Sequence, residues 1–198
     1  VVRLIRVMVI AAALSVSAAC ESAPAPAPTG SSTGAAPGTV TSPGALAAVP
    51  LRLPTVAAGE PCPVTEPRPW DDHDRAYRVL GPGPVYPVAD YFPAGVLPLR
   101  ERDRQRDGSF TVKVRWLGAG YTGPVLVRAG RIDGPGTASV EFSYLGERRD
   151  DGHHAVLTRP DTDLPASTTV GGPGCYAYQV DGVSFSFTVV FRAAPASS

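Results

Sequence analysis

Lysine occurs once, at Lys113, and asparagine not at all in this chain of 198 residues. Cysteine is confined to three positions, tryptophan to two and methionine to one. No apolar run reaches the roughly 20 residues that a membrane-spanning helix needs, and no stretch after Gly59 repeats apolar residues at helical spacing. From Gly59 onward there is no Gly-x-Ser-x-Gly elbow, so a hydrolase would have to assemble Ser, His and Asp from distant places. The lone lysine stands between valines and not in a phosphate-cradling glycine loop, and no Cys-x-x-Cys pair offers thiol chemistry. Acidic and basic residues balance at 18 each, which leaves no basic footprint for nucleic acid.

What is present begins with an address. Arg3 and Arg6 precede a short apolar core from Val7 to Val16, followed by small residues, as a secretory signal requires. Ser17-Ala18-Ala19-Cys20 resembles the lipobox of bacterial lipoproteins, departing from it at Ser17, where an aliphatic residue is usual. The resemblance implies cleavage after residue 19 and lipidation of Cys20; an ordinary signal peptide cut nearby is the alternative. With Cys20 lipidated, Cys62 and Cys175 remain as one pair, and a bridge between them would close a loop of more than a hundred residues. Two unrelated buried thiols are the other reading. The scarcity of lysine and asparagine beside abundant arginine and alanine is similar to that of actinobacterial proteins from high-GC genomes.

Four regions are expected: a signal peptide over 1–19, a lipid-anchored disordered linker over 20–58, one folded domain over 59–193 and a disordered tail over 194–198. The linker is nearly all Ala, Pro, Ser, Thr, Gly and Val, too poor in apolar surface to offset the entropy of ordering it. At ~3 Å per residue it would reach roughly 90 Å if extended.

The domain reads as strands. Phe110, Val112, Val114 and Trp116 alternate with Thr111, Lys113 and Arg115, and Val140, Phe142 and Tyr144 alternate with polar neighbours. Shorter candidates lie at Arg75 to Leu80, Val85 to Val88, Val125 to Arg128, His154 to Leu157 and Ser167 to Val170. Asp181-Gly182 is the dipeptide of a type I′ turn. Placing the turn there pairs Val180 with Val183, Tyr178 with Phe185 and Tyr176 with Phe187 on one face, and leaves Cys175, Ala177 and Gln179 on the polar face. About seven to nine short strands punctuated by Asp-Gly turns predict an all-β fold, an antiparallel β-sandwich. Cys175-Tyr176-Ala177-Tyr178 resembles the tyrosine-rich penultimate strand of immunoglobulin-like domains, although there the cysteine faces the core. The Cys62 bridge is therefore expected to strap the N-terminal segment onto the outer surface or edge of the last hairpin. Tyr121 to Arg128 and Gly174 to Gly182 are similar to segments of uncharacterised exported bacterial proteins, a likeness that implies no activity.

Candidate chemistry is sparse. Asp71-Asp72-His73-Asp74 gathers carboxylates and an imidazole but lacks the glycine and distal glutamate of a calcium loop. His153 and His154 are adjacent on a strand and point to opposite faces, unsuited to one metal. No metal, cofactor or catalytic residue is assigned. Arg100 to Asp107 is a mixed-charge run, read as a solvated loop more readily than as a surface for anionic lipid or polymer. Trp70, Tyr86, Tyr91, Phe92 and Tyr121 fall near loops, where they either contact a ligand or cap the core. The expectation is a non-enzymatic binding or structural module, lipid-anchored on the outer face of the cytoplasmic membrane, with an envelope protein or polymer as partner. A secreted hydrolase or hydrolase inhibitor is the alternative; a polar pocket joining His73 or His153 to a serine or paired carboxylates would favour it.

Overall fold

From Phe110 to Gly118 the side chains alternate as the sequence does: Phe110, Val112, Val114 and Trp116 are buried, Lys113 is exposed, and Thr111 and Arg115 are half-buried. The computed structural model describes residues 42–57, 59–150 and 152–196. After a single helical turn α1 (Pro43–Leu46) come β1 (Pro67–Pro69), β2 (Arg78–Leu80), β3 (Val85–Pro87), β4 (Val96–Leu99), β5 (Phe110–Gly118) and β6 (Gly123–Arg131). The remainder is β7 (Ala138–Phe142), β8 (Glu147–Arg149), β9 (Gly152–Leu157), β10 (Thr162–Val170), β11 (Gly174–Gly182) and β12 (Ser186–Pro195).

The strands form a four-stranded sheet in the order β3-β5-β10-β7, a six-stranded sheet in the order β4-β12-β11-β6-β9-β8, and the small pair β1-β2. Pairing is antiparallel among the described residues except between β4 and β12, which run parallel with Val96 opposite Arg192. The two larger sheets share one core. Trp116 of β5 meets Tyr178 of β11 edge-on at 5.0 Å, and Tyr178 stacks on Phe191 at 4.7 Å. Burying large side chains of this kind contributes about 1.5 to 3 kcal/mol each, and the aromatic geometry adds about 0.5 to 1.5 kcal/mol per pair.

The last hairpin corrects the expected register. Val180 lies opposite Phe187, Tyr178 opposite Val189 and Tyr176 opposite Phe191, and the Gly182 amide donates to the Phe185 carbonyl, which closes the turn at Val183-Ser184. Gly182 has no positive φ; it is glycine because a Cβ there would overlap the Phe185 ring. Moving the turn by two residues carries Phe191 alongside Tyr176, where their rings stack at 5.8 Å. An even displacement keeps every side chain on its expected face, so the faces are as the alternation set them although the partners differ.

The polar face of β11 is not open to solvent. Cys175, Ala177, Gln179 and Asp181 are all at most 2% exposed, because residues 46–57 and 59–65 lie across them. Leu46 is buried, Leu53, Val56 and Cys62 pack on Ile132, Cys175, Ala177 and Val190, and Cys62 is disulfide-bonded to Cys175 with 5.6 Å between Cα atoms. Backbone bonds complete the strap: the Val56 amide donates to Ile132 and the Thr65 amide to Val190, at 2.7 and 2.9 Å. The linker expected to run to residue 58 is therefore packed from Leu46, and the tail expected from 194 begins inside β12, beyond whose end the Ala196 amide still donates to the Leu99 carbonyl. Three short strands escaped the sequence reading, β1, β4 and β8; two carry proline, which is confined to such edges. Tyr144, expected inside a strand, follows β7 and is 89% exposed.

Because the bridge spans 113 positions, its loss releases a long loop in the unfolded chain. Cys62→Ser is expected to destabilise the domain by about 2 to 5 kcal/mol in guanidinium unfolding. An unchanged midpoint would mean that the strap adds nothing to stability.

Candidate functional site

In β6 the apolar Val125 and Val127 enter the core, so Leu126 and Arg128 face outward, beneath the strap. Arg128 is opposite Gln179 on β11, and its Nη2 donates to Asp181 Oδ2 at 2.5 Å. Asp181 is wholly buried. It also accepts from Gln179 Nε2 at 3.0 and 3.1 Å and from Ser186 Oγ at 2.6 Å. Gln179 joins this group to the strap, donating to the Pro50 carbonyl at 3.0 Å and accepting from the Arg52 amide at 2.5 Å. Arg128 Nε is buried with no hydrogen-bond partner among the described residues, a vacancy that costs about 1 to 3 kcal/mol.

A cleft of about 620 Å³ opens beside Arg128. Its origin is topological: β9 accompanies β6 only as far as the pair Val127–His153, while β6 runs on to Arg131. On the other side β7 is the outermost strand of its sheet. Val127 to Ala129, Ala138 to Val140, Leu51 and Gly152 form the walls, and Arg148, Arg149 and Asp150 the rim.

His153 sits nearby but is committed to the core. Its ring meets Phe142 edge-on at 4.8 Å and its Nε2 donates to the Leu145 carbonyl at 2.7 Å. Burial pushes its pKa below the ordinary value of 6.5, against smaller opposing contributions from the Leu145 carbonyl and Glu141. His154 is buried too, paired on β9 with Leu126. Asp71, Asp72, His73 and Asp74 are exposed in a turn. Among the described residues no cluster of three His, Cys, Asp or Glu side chains could hold a metal.

The five aromatic candidates do not form one surface. Trp70 packs edge-on against Tyr86 at 5.0 Å over a satellite core of Ala76, Val79, Val88 and Leu117, and the Tyr86 hydroxyl donates to Pro82. Phe92, expected as a possible contact, is 1% exposed between Tyr178 and Phe191; the core needs its ring and no ligand can reach it. Tyr121 rests on Phe185 at 5.1 Å and donates to the Pro124 carbonyl. Tyr91 is the most open of the five, at 36% exposed. In the mixed-charge run, Arg104 binds Glu101 at 2.9 Å and lies over the Phe110 ring at 4.5 Å, and that bond holds the Glu101 carboxyl below its ordinary range. The run thus folds on itself instead of presenting one basic face. Gly118-Ala119-Gly120-Tyr121-Thr122-Gly123 has dinucleotide-fingerprint spacing, yet it joins β5 to β6 with no helix to follow.

Sequence reasoning missed Arg128, Asp181 and Gln179 as a unit. The available signal was an arginine closing an otherwise apolar run, Val125 to Arg128. Among the described residues no helix is long and apolar enough to cross a membrane. No family model, curated protein or solved structure matches the chain.

Asp181→Ala would leave a buried guanidinium without its counter-charge and is expected to cost about 3 to 5 kcal/mol. The pair Arg128→Met with Asp181→Leu should recover most of that loss, since an apolar pair carries no desolvation cost. Denaturant midpoints of the single and double variants check both statements.

The lowered His153 pKa makes the fold favour neutral imidazole. Its contribution is complete above the unfolded value near 6.5 and declines as pH falls through that value toward the lower folded one. Stability should drop between pH ~8 and pH ~5, and His153→Phe should flatten that slope. An unaltered slope in the variant would assign the pH response to other groups.

Proposed function

We propose that the protein is an extracytoplasmic lipoprotein, held to the outer face of the cytoplasmic membrane through Cys20, whose immunoglobulin-like β-sandwich serves as a non-enzymatic binding or structural module of the cell envelope. The observation that carries this reading is the Cys62–Cys175 bridge. Such a long-range structural disulfide belongs to an oxidising compartment, and it uses both cysteines after Cys20, so the third is left for the lipid. Cys20 and the leader lie outside the described residues, and their role rests on the lipobox resemblance.

The sandwich reading draws support from two facing sheets that share a core around Trp116 and Tyr178. It departs from the immunoglobulin pattern in placing the bridge on the outer face, where it fastens the strap. The strap is also the segment by which a membrane anchor would be joined to the domain. Partners on this reading are the membrane, through the lipid, and a protein or polymer of the envelope; nucleic acid is not among them.

Cys20→Ala should abolish incorporation of a labelled fatty acid and move the protein from the membrane fraction to the soluble one. Persistent labelling in the variant would refute the anchor site.

A further inference from the structure

The cleft beside Arg128 combines features that edge geometry alone does not require. We propose that it binds a small ligand bearing a single carboxylate or phosphate group, held by Arg148 and Arg149 at the rim with Arg128 at the base. The proposal rests on the binding-module reading and gives it a ligand class.

Arg128 is more than nine-tenths buried, lines the cleft, and keeps Nε without a partner among the described residues. Buried donors in native proteins are nearly always satisfied, so the free Nε calls for an explanation, and an acceptor entering from the cleft supplies one. Arg148 and Arg149 supply accessible charge. Their internal partners are Glu141, at 4.0 Å from Arg148, and Glu147 beside Arg149, all of them exposed. Surface pairs of this kind hold weakly and exchange readily for a ligand anion, whereas a guanidinium fork takes a carboxylate or phosphate in matching geometry. Asp150 on the same rim opposes a second negative group, which favours ligands of low charge.

Size and lining agree. About 620 Å³ falls within the range of small-molecule sites, and Leu51, Ala129 and Ala138 offer apolar contact for the uncharged body of the ligand. Leu51 is 52% exposed and comes from the strap, so the bridge that fastens the strap also completes the cleft wall.

The test is a titration of the whole protein with inorganic phosphate and, separately, with butyrate, followed by backbone amide NMR shifts against sodium chloride at matched ionic strength. Saturable shifts centred on Ala138 to Val140, Arg148 to Asp150 and Gly152 are expected with at least one probe, and which probe acts distinguishes phosphate from carboxylate chemistry. The double variant Arg148→Ala/Arg149→Ala, altered only at exposed side chains, should weaken binding by about tenfold or more. Arg102→Ala/Lys113→Ala, in a separate groove of mixed charge, should leave it unchanged. Chloride reproducing the shifts, no saturable shift with either probe, or wild-type titration of the Arg148/Arg149 variant would overturn the proposal. Fatty-acid labelling at Cys20 measured on the same protein keeps the two readings apart: a labelled, membrane-bound protein with a silent cleft removes this site and leaves the anchored module standing.

Discussion

The carboxylate of Asp181, sealed from solvent, is the constraint around which the C-terminal half of the protein is arranged. A buried charge is tolerable only when it is paired and its lone pairs are filled, and Arg128, Gln179 and Ser186 do this from three strands: β6, β11 and β12. The donors on β6 and β12 each fix a register against β11. Ser186 reaches Asp181 because it lies directly opposite in the hairpin, so the same contact that satisfies the carboxylate is lost if the turn moves to Asp181-Gly182. Gln179 has spent one amide face on Asp181 and turns the rest of its polar head to the strap. The strap is thus required by the polar row, and the polar row is buried by the strap.

The disulfide makes that arrangement durable. Residues 46–61 contribute few large apolar side chains, and the hydrogen bonds at Arg52, Val56 and Thr65 are each worth about 1 kcal/mol net, little against the entropy of ordering an extended segment. Joining Cys62 to Cys175 holds the C-terminal end of the strap beside its docking face at all times, so the remaining residues return to it as a short loop and not as a free chain. That is a reason for the bridge to sit on the outer face and not in the aromatic core, which Trp116, Tyr178 and Phe191 already hold.

Strand identity was legible wherever alternation was strong. Phe110 to Trp116, Val140 to Phe142 and Tyr176 to Val180 declare their faces in the sequence, and the alternation alone puts Cys175 on the outer face. Register was not legible, because Asp-Gly carries a turn preference that a buried ion pair outweighs: Asp181 is bound to Arg128, and Gly182 provides room for Phe185. The strap was legible at Cys62, whose expected bridge to Cys175 fastens it to the outer face of the last hairpin, but not at residues 46–57. The alanines and prolines there lack hydrophobic periodicity, and the segment docks in part through backbone groups, which leave no residue pattern. Of the candidate site only the apolar run ending in Arg128 was visible; that the arginine turns inward under residues far away in sequence follows from long-range pairing alone.

The arginines of the cleft can be weighed against a plainer role. Open strand edges invite pairing with other chains, and proteins guard them with charge; β7 and the far end of β6 are such edges, and Arg148, Arg149 and Asp150 stand beside them. Guarding explains charge that is exposed, and it is indifferent to sign. It does not explain Arg128, which is buried, already neutralised by Asp181, and still holds a donor without an acceptor. Pairing with Asp181 accounts for the charge of Arg128, and the unpartnered Nε is what that pairing leaves over. Retaining a guanidinium at the base of a cleft with two more at its rim is an arrangement suited to an anion and surplus to the needs of an edge.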